Sequence, residues 1–411
     1  MTSPFDPMTI GPLTLANRFI KSGANEAMSR DGAPTKAMLK HHGELAQGGI
    51  ALTTVAYGAV SERGRTLPHQ IVMQASALSD LRALTDEIHR HGAKASIQLT
   101  HGGSFVTGLK VKGPTLSSSS GINKAGLFSG NFWHRAMNEA DMQTIIDQFV
   151  AAAQLAQSAG FDAVELHMGH GYLLNQFISP LSNKRKDQYG GSAENRARFP
   201  ARVLSAVKAA VGKQLAVLAK INVADGVAGG ATADDGVVTA KALERAGADM
   251  LVLSGGRNME STWFMFGSPM NREAIANVLQ SNPVSRLLMK LASISEPKQL
   301  QFKEMYFHEY SKKIRSAVSL PLAFLGGVKS LDNAQQALND GFDCIVMARA
   351  LIHDPALVNK FRSGEQLQSG CTNCNACVAY IYHPGGTWCI ENPPNELALN
   401  EIPASATPLQ C

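Results

Sequence analysis

The sequence predicts an α/β fold, a (β/α)8 TIM barrel with long insertions after strands 3 and 6 and a Cys-rich C-terminal segment. Three observations carry this. Apolar strand-like runs alternate with helix-periodic segments from end to end. Eight such strands can be counted. No Gly-rich dinucleotide turn follows the first strand, as a doubly wound open sheet would require.

The strands are read at Phe19–Gly23, Ile50–Tyr57, Ala93–Leu99, Asp162–His167, Leu215–Ile221, Met250–Ser254, Pro321–Leu325 and Asp343–Met347. Between them, Ala77, Leu81, Leu84 and Ile88 form a helical stripe that stops at Gly92. Ile145, Phe149, Ala152 and Ala156 form another, with Asn138 as N-cap and Gly160 as stop. Val203, Val207 and Val211 form a third, followed by Gly212. Chemistry in such barrels gathers at the C-terminal strand ends. Residues 102–140 and 257–304 are too long for structureless loops, so each is expected to carry local structure and roof the site. Trp133 lies in the first, and Trp263, Phe264 and Phe266 in the second. The barrel is assigned to residues 1–365 and a cysteine-rich extension packed on it to 366–411.

Composition narrows the function classes. Of 411 residues, 45% are apolar and 17% charged, the balance of a globular chain. The net charge of +5 comes without a Lys/Arg block, which argues against a nucleic-acid partner. No run approaches the ~20 apolar residues of a membrane span. The N-terminus MTSPFDPMTIGPL has no basic or apolar leader, so the expectation is a cytoplasmic protein without a membrane partner. Four of the six cysteines (Cys371, Cys374, Cys377, Cys389) crowd one segment. In a leaderless chain that favours a metal or cluster over disulfides.

The most informative stretch is FDAVELHMGHGYLLNQFISPLSNKRKDQYGGSAENRARF, Phe161 to Phe199. Period-2 geometry puts Glu165 and His167 on one face of its strand and Val164 and Leu166 on the other. His167, His170 and Tyr172 fall at or just beyond the strand's C-terminal end, with His170 flanked by Gly169 and Gly171. A zinc site or hydrogen-bonded core histidines are the alternatives. The spacing of three, with no nearby third ligand, is not the helical i,i+4 pattern of zinc. At the seventh and eighth strand ends, Gly326-Gly327 and Ala348-Arg349 look like a phosphate cradle, with tight βα turns as the plainer reading.

These residues closely resemble the signature of the Old Yellow Enzyme family of FMN-dependent oxidoreductases. The His-x-x-His pair, the GYLLNQF that follows Gly169-His170 and the run Ser179 to Phe199 all match it. The resemblance implies FMN, with NAD(P)H as electron donor. It places the FMN phosphate on Gly326, Gly327, Ala348 and Arg349, Gln98 on the flavin pyrimidine edge, and Lys220 near the flavin N1/O2. For Lys220 a salt-bridged or snorkelling residue is the rival reading. Gly23, Ala24, Asn25 and Tyr57 would complete the flavin site. His167 and His170 would hold the oxygen of an enone, carbonyl or nitro acceptor, and Tyr172 would protonate the α-carbon. The chain departs from the family at Ala348, where Gly is usual. It departs also at Asn25 and Gly23 on the strand-1 edge, and at Tyr57, where relatives often have a small residue.

The cysteine frame Cys-x2-Cys-x2-Cys-x11-Cys resembles the 4Fe–4S site of the dienoyl-CoA reductase and trimethylamine dehydrogenase branch. That branch continues into a second nucleotide-binding domain, which this sequence is not expected to contain. A tetrathiolate zinc site and free thiols stay open beside the cluster. The reading is an ene-reductase for a small enone-type substrate, with a homo-oligomer compatible with it. The alternatives are an amine dehydrogenase or demethylase and an electron-transfer subunit of a larger flavoprotein complex.

Overall fold

A computed structural model describes residues 2–279, 297, 300–383 and 385–393. Eight parallel strands close on themselves: β1 Phe19–Lys21, β2 Leu52–Ala59, β3 Lys94–Thr100, β4 Ala163–Met168, β5 Ala216–Asn222, β6 Met250–Ser254, β7 Leu322–Leu325 and β8 Cys344–Met347. Each pairs with the next, and β8 pairs back onto β1. All eight expected strands are present, with ends displaced by one or two residues. β2 runs past Tyr57 because its last residues gain a further parallel partner, Ile71–Val72.

The helices follow from the periodic stripes and their caps. Asn138 makes a capping box with Asp141 at the start of Glu139–Ser158, and Gly160 ends that turn at φ +89°. Ser192 caps Ala193–Val211, whose Phe199, Val203, Leu204 and Val207 are buried against the strands. Thr232 and Ser330 make capping boxes at Ala233–Arg245 and Leu331–Asn339. Each side chain of this kind satisfies N–H groups that a helix start leaves open.

The barrel interior is filled in layers. At the bottom, Ile20, Leu52, Ala163, Leu218, Val252, Ala323 and Val346 pack with Ile10, Leu13 and Leu15. The last three belong to an antiparallel hairpin, Met8–Ile10 with Leu13–Leu15, which plugs the N-terminal mouth. Two residues further along β3, β4 and β5 the lining turns polar: Gln98, Glu165 and Lys220 are all buried. The period-2 rule that makes Ala163 and Leu218 face inward makes Glu165 and Lys220 do so as well.

Both insertions carry structure. The one after β3 holds a three-stranded sheet of Thr115–Ser117, Gly121–Ile122 and Trp133–Ala136. Its roofing residue is Phe105, whereas Trp133 is 61% exposed and stands in solvent. After β6 come the helices Thr262–Phe266 and Arg272–Val278. The rest of that insertion lies largely outside the described residues. Among the described residues no helix is long and apolar enough to cross a membrane.

Candidate active site

A cavity of about 450 Å³ opens at the C-terminal end of the barrel, within the ~300–1,000 Å³ usual for ligand sites. Strand ends build its wall. β1 leads into Gly23, Ala24 and Asn25; β2 gives Tyr57, β3 Gln98 and β5 Lys220. His167 ends β4, with His170 and Tyr172 just after it. Gly326 and Gly327 follow β7, and Ala348 and Arg349 follow β8. Every non-cysteine residue assigned from the sequence to catalysis or cofactor binding lines this one space.

His167 and His170 lie with ring centroids 4.9 Å apart, and the Tyr172 ring lies 4.5 Å from that of His167. Burial, the neighbouring His170 and the Lys220 charge hold His167 well below the usual imidazole range. Burial and Lys220 bring His170 down to about 3. Both rings are therefore neutral at pH 7. The Gly169 N–H donates to His167 Nδ1 at 3.3 Å, which leaves the ring proton on Nε2. His170 Nε2 lies 2.7 Å from Ser254 Oγ, and the His170 backbone N–H donates to Asn222 Oδ1. Tyr172 Oη donates to Tyr57 Oη at 3.1 Å. Burial and the Tyr57 hydroxyl push the Tyr172 phenol well above its ordinary pKa.

Lys220 is 1% exposed, and its rival reading applies as well: it is salt-bridged within the cavity wall. Nζ lies 3.1 Å from Glu165 Oε1, 3.1 Å from Ser22 Oγ and 3.0 Å from Gly23 O. Glu165 also accepts from Gln98 Nε2 at 2.6 Å. The wall below a ligand is thus a Gln98–Glu165–Lys220 bridge close to neutral, so the cation acts tempered by its partner. Glu165 was visible two residues before His167 on the same strand face, but nothing in the sequence said that it would meet Lys220. Ser254 was likewise recognised only as a strand end. A second buried pair, Lys21 with Glu26, sits behind β1 with His42.

The phosphate-cradle expectation divides into backbone and side chain. Gly326 and Gly327 have φ of +134° and +83°, and a Cβ at either would meet Phe307 or Tyr306 at under 3 Å. Packing alone thus requires these glycines. The backbone N–H groups of Gly327, Val328, Ala348 and Arg349 are left without a protein acceptor among the described residues, which is the donor set an anion needs. The Arg349 guanidinium is engaged elsewhere. It donates to Asn375 Oδ1 at 2.6 Å and to Phe266 O at 2.7 Å.

Asn375 belongs to the cysteine segment, which also reaches the β1 edge through Thr387 Oγ1 to Asn25 O at 3.1 Å. Cys371, Cys374, Cys377 and Cys389 line one small cavity beside Arg349, and none is in a disulfide. No three of their sulfurs lie mutually within 4.8 Å. Zinc bonds of about 2.3 Å in a tetrahedron would bring thiolates to roughly 3.8 Å. Burial pushes the Cys377 thiol up to about 12 and raises Cys371 too.

Comparison with known proteins agrees with this geometry. The chain is 38% identical over 98% of its length to the 4,4'-dithiodibutanoate disulfide reductase of Rhodococcus erythropolis, covering 97% of that protein. It is 27% identical to the NADH oxidase of Thermoanaerobacter brockii over 91% of this chain, and spans about half (53%) of that longer protein. A 2-naphthoyl-CoA reductase complex shares the fold, with a TM-score of 0.77 at 23% identity, over 98% of this chain and 58% of the other. Residues 3–263 match the NADH:flavin oxidoreductase / NADH oxidase family. The chain belongs to that family, the Old Yellow Enzyme family of flavin-dependent oxidoreductases, with FMN and NAD(P)H as its cofactors.

Proposed function

We propose that this protein reduces electron-poor alkenes, with NAD(P)H as hydride source and FMN as carrier. The observation that carries the reading is the contiguous set of two neutral imidazoles and one un-ionised phenol on the wall of a single cavity. Bound FMN supplies the hydride transfer between nicotinamide and acceptor. The open N–H groups at Gly327, Val328, Ala348 and Arg349 suit its phosphate. Gly23, Ala24, Asn25, Tyr57, Gln98 and Lys220 would line its ring.

His167 would donate from Nε2 to the acceptor's carbonyl or nitro oxygen as charge develops there. His170 can do the same from Nδ1 provided the Ser254 hydroxyl donates to its Nε2, so Ser254 would set the tautomer. Tyr172 would hand its proton to the α-carbon. The four cysteines would hold a 4Fe–4S cluster, since all four line one small cavity in the Cys-x2-Cys-x2-Cys-x11-Cys frame.

A second acceptor class has one observation in its favour: the full-length similarity to a disulfide reductase. There Tyr172 would protonate the leaving thiolate instead. The test is anaerobic reoxidation of the NAD(P)H-reduced protein by cyclohexenone, 4,4'-dithiodibutanoate and a small amine panel run in the oxidative direction. Rapid reoxidation by cyclohexenone supports the first reading. Reoxidation by the disulfide alone replaces it, and flavin reduction by an amine would overturn both.

A further inference from the structure

In this structure the Tyr172 hydroxyl proton is engaged by a neighbouring hydroxyl of the cavity wall. Tyr172 Oη donates to Tyr57 Oη at 3.1 Å, Tyr57 Oη lies 2.7 Å from Thr66 Oγ1, and Thr66 Oγ1 donates to Gln70 Oε1 at 3.3 Å. The carboxamide at the end is fixed, because Gln70 Oε1 also accepts the backbone N–H of Thr66 at 2.8 Å. A carbonyl oxygen can only accept. The donor order of the whole chain follows: Thr66 gives to Gln70, Tyr57 to Thr66, Tyr172 to Tyr57. Tyr57, Thr66, Gln70 and Tyr172 are all buried.

One further donor waits at the other end. Asn258 lines the same cavity as Tyr172 and favours the ionised form of the Tyr172 hydroxyl. Its Nδ2 is buried with no hydrogen-bond partner among the described residues. A buried donor of this kind is costly unless an acceptor appears.

We propose that Tyr57 and Thr66 form a reversible hydrogen-bond chain that turns round to stabilise the Tyr172 phenolate, making Tyr57 the positioning residue of proton delivery. This rests on the reading that Tyr172 is the general acid. In the step, the Tyr172 O–H bond breaks and its proton forms the new C–H bond at the substrate's α-carbon. The negative charge that hydride addition left on the substrate moves to Tyr172 Oη. Tyr57 O–H then rotates from Thr66 onto that oxygen, and Thr66 O–H rotates from Gln70 onto Tyr57. Gln70 keeps the Thr66 N–H, and Asn258 Nδ2 gains its acceptor. Only C–O torsions change beyond Tyr172, so no second charge is created. Water returns the proton when product leaves. The chain matters only for acceptors that need a proton on carbon, and so it sets which acceptors turn over fast.

The experiment is single-turnover reoxidation of the reduced holoenzyme by cyclohexenone and by a benzoquinone, which needs no carbon protonation, in H2O and D2O. The readout is the ratio of the two rates per bound flavin. Tyr57→Phe is expected to lower the enone-to-quinone ratio about 10- to 100-fold, as loss of a hydrogen bond to a charged group does. The solvent isotope effect on the enone step should rise. Thr66→Val, which keeps the volume of this buried side chain, should lower the ratio several-fold, and Thr66→Ser should restore it. Equal ratios in Thr66→Val and Thr66→Ser, or equal slowing of both acceptors in Tyr57→Phe, would overturn the chain. A parental ratio in Tyr172→Phe would instead overturn the general-acid reading beneath it. A lowered ratio in Tyr172→Phe beside a parental one in Tyr57→Phe removes the chain alone.

Discussion

The end of β4 and the cysteine segment both border the cavity at the C-terminal end of the barrel, yet they are built in opposite ways. At β4 the reactive side chains sit on or next to a strand of a closed barrel. His167 takes a backbone N–H, His170 meets Ser254 and Tyr172 meets Tyr57. Little has to move before such groups act, and that is where electrostatic preorganisation comes from. The cysteine segment is mostly loop, with a short helix, Ala376–Ala379, a 3-10 turn at Tyr380–Tyr382, and left-handed residues at Asn373 and Asn375. Two of its thiols are pushed up by burial, so they stay protonated unless a metal claims them. One region is complete as a polypeptide. The other is where the proposed cluster would bind.

The sharpest way to break that contrast is to remove the two imidazoles together. His167→Ala with His170→Ala should lower enone reduction by about 10³-fold or more, since a single oxyanion donor is worth ~10²–10³. Flavin content per chain, read from the visible spectrum, should stay near parental, because the proposed phosphate site is the backbone after β7 and β8, to which neither ring belongs. Parental enone turnover in the double variant would remove the oxyanion role. Loss of flavin would show that the β4 end holds the cofactor instead.

Tyr172→Phe should come next, slowing the enone half-reaction by ~10²–10³-fold. Reduction of the flavin by NAD(P)H is the internal comparison, measured on the same sample by stopped-flow absorbance. A loss confined to the enone side fits proton delivery to carbon. Equal losses on both sides would mean that the ring shapes the cavity.

The two regions also differ in how much of them the sequence disclosed. Period 2 along β4 placed Glu165 and His167 on one face before any coordinates, and the alternation of strand and helix gave all eight barrel strands. Contacts between strands were not legible. The Gln98–Glu165–Lys220 bridge joins residues on three strands, and no local pattern encodes that register. The hairpin plug at Met8–Leu15 was missed because two three-residue strands fall below any periodic signal. Arg349 was expected on a phosphate from its place after β8. Its guanidinium goes to Asn375 because the cysteine segment folds back over that strand end, which only tertiary packing reveals. The cysteines were found by spacing alone.

Acid should test the β4 side again, more weakly. Burial lowers His170 and His41 to about 3 and His101 to about 4, against about 6.5 in the unfolded chain. A histidine with a lowered folded pKa binds fewer protons when folded. Its contribution to stability is therefore full above about pH 6.5 and is lost progressively as pH falls toward 4 and then 3. The melting temperature should drop by roughly 5–10 °C between pH 7 and pH 4.5. His101→Gln, which cannot titrate, should flatten part of that drop in differential scanning fluorimetry. An unchanged slope would mean that His101 is not held neutral by the fold.

The smallest effect on turnover should come from the cysteine segment, and it decides what that segment is. Anaerobically purified protein should carry close to four irons with matching sulfide, since the four thiols share one small cavity in the Cys-x2-Cys-x2-Cys-x11-Cys frame. Cys374→Ala is the most selective probe, because Cys374 is the exposed member of the set and its loss leaves the buried packing of Cys371 and Cys389 in place. Iron and sulfide should disappear together, while enone reduction falls no more than about threefold. The reason is geometric: Asn373, Cys377, Val378, Ile381, Tyr382 and Thr387 of the segment line the cavity, and Cys374 does not. Stoichiometric zinc would move the assignment to a structural tetrathiolate whose loop closes further than these sulfur positions. Four titratable thiols with no metal would end the cluster reading. A tenfold or greater fall in enone turnover with flavin still bound would dissolve the contrast between the two regions, since the loop would then be acting on the chemistry at β4.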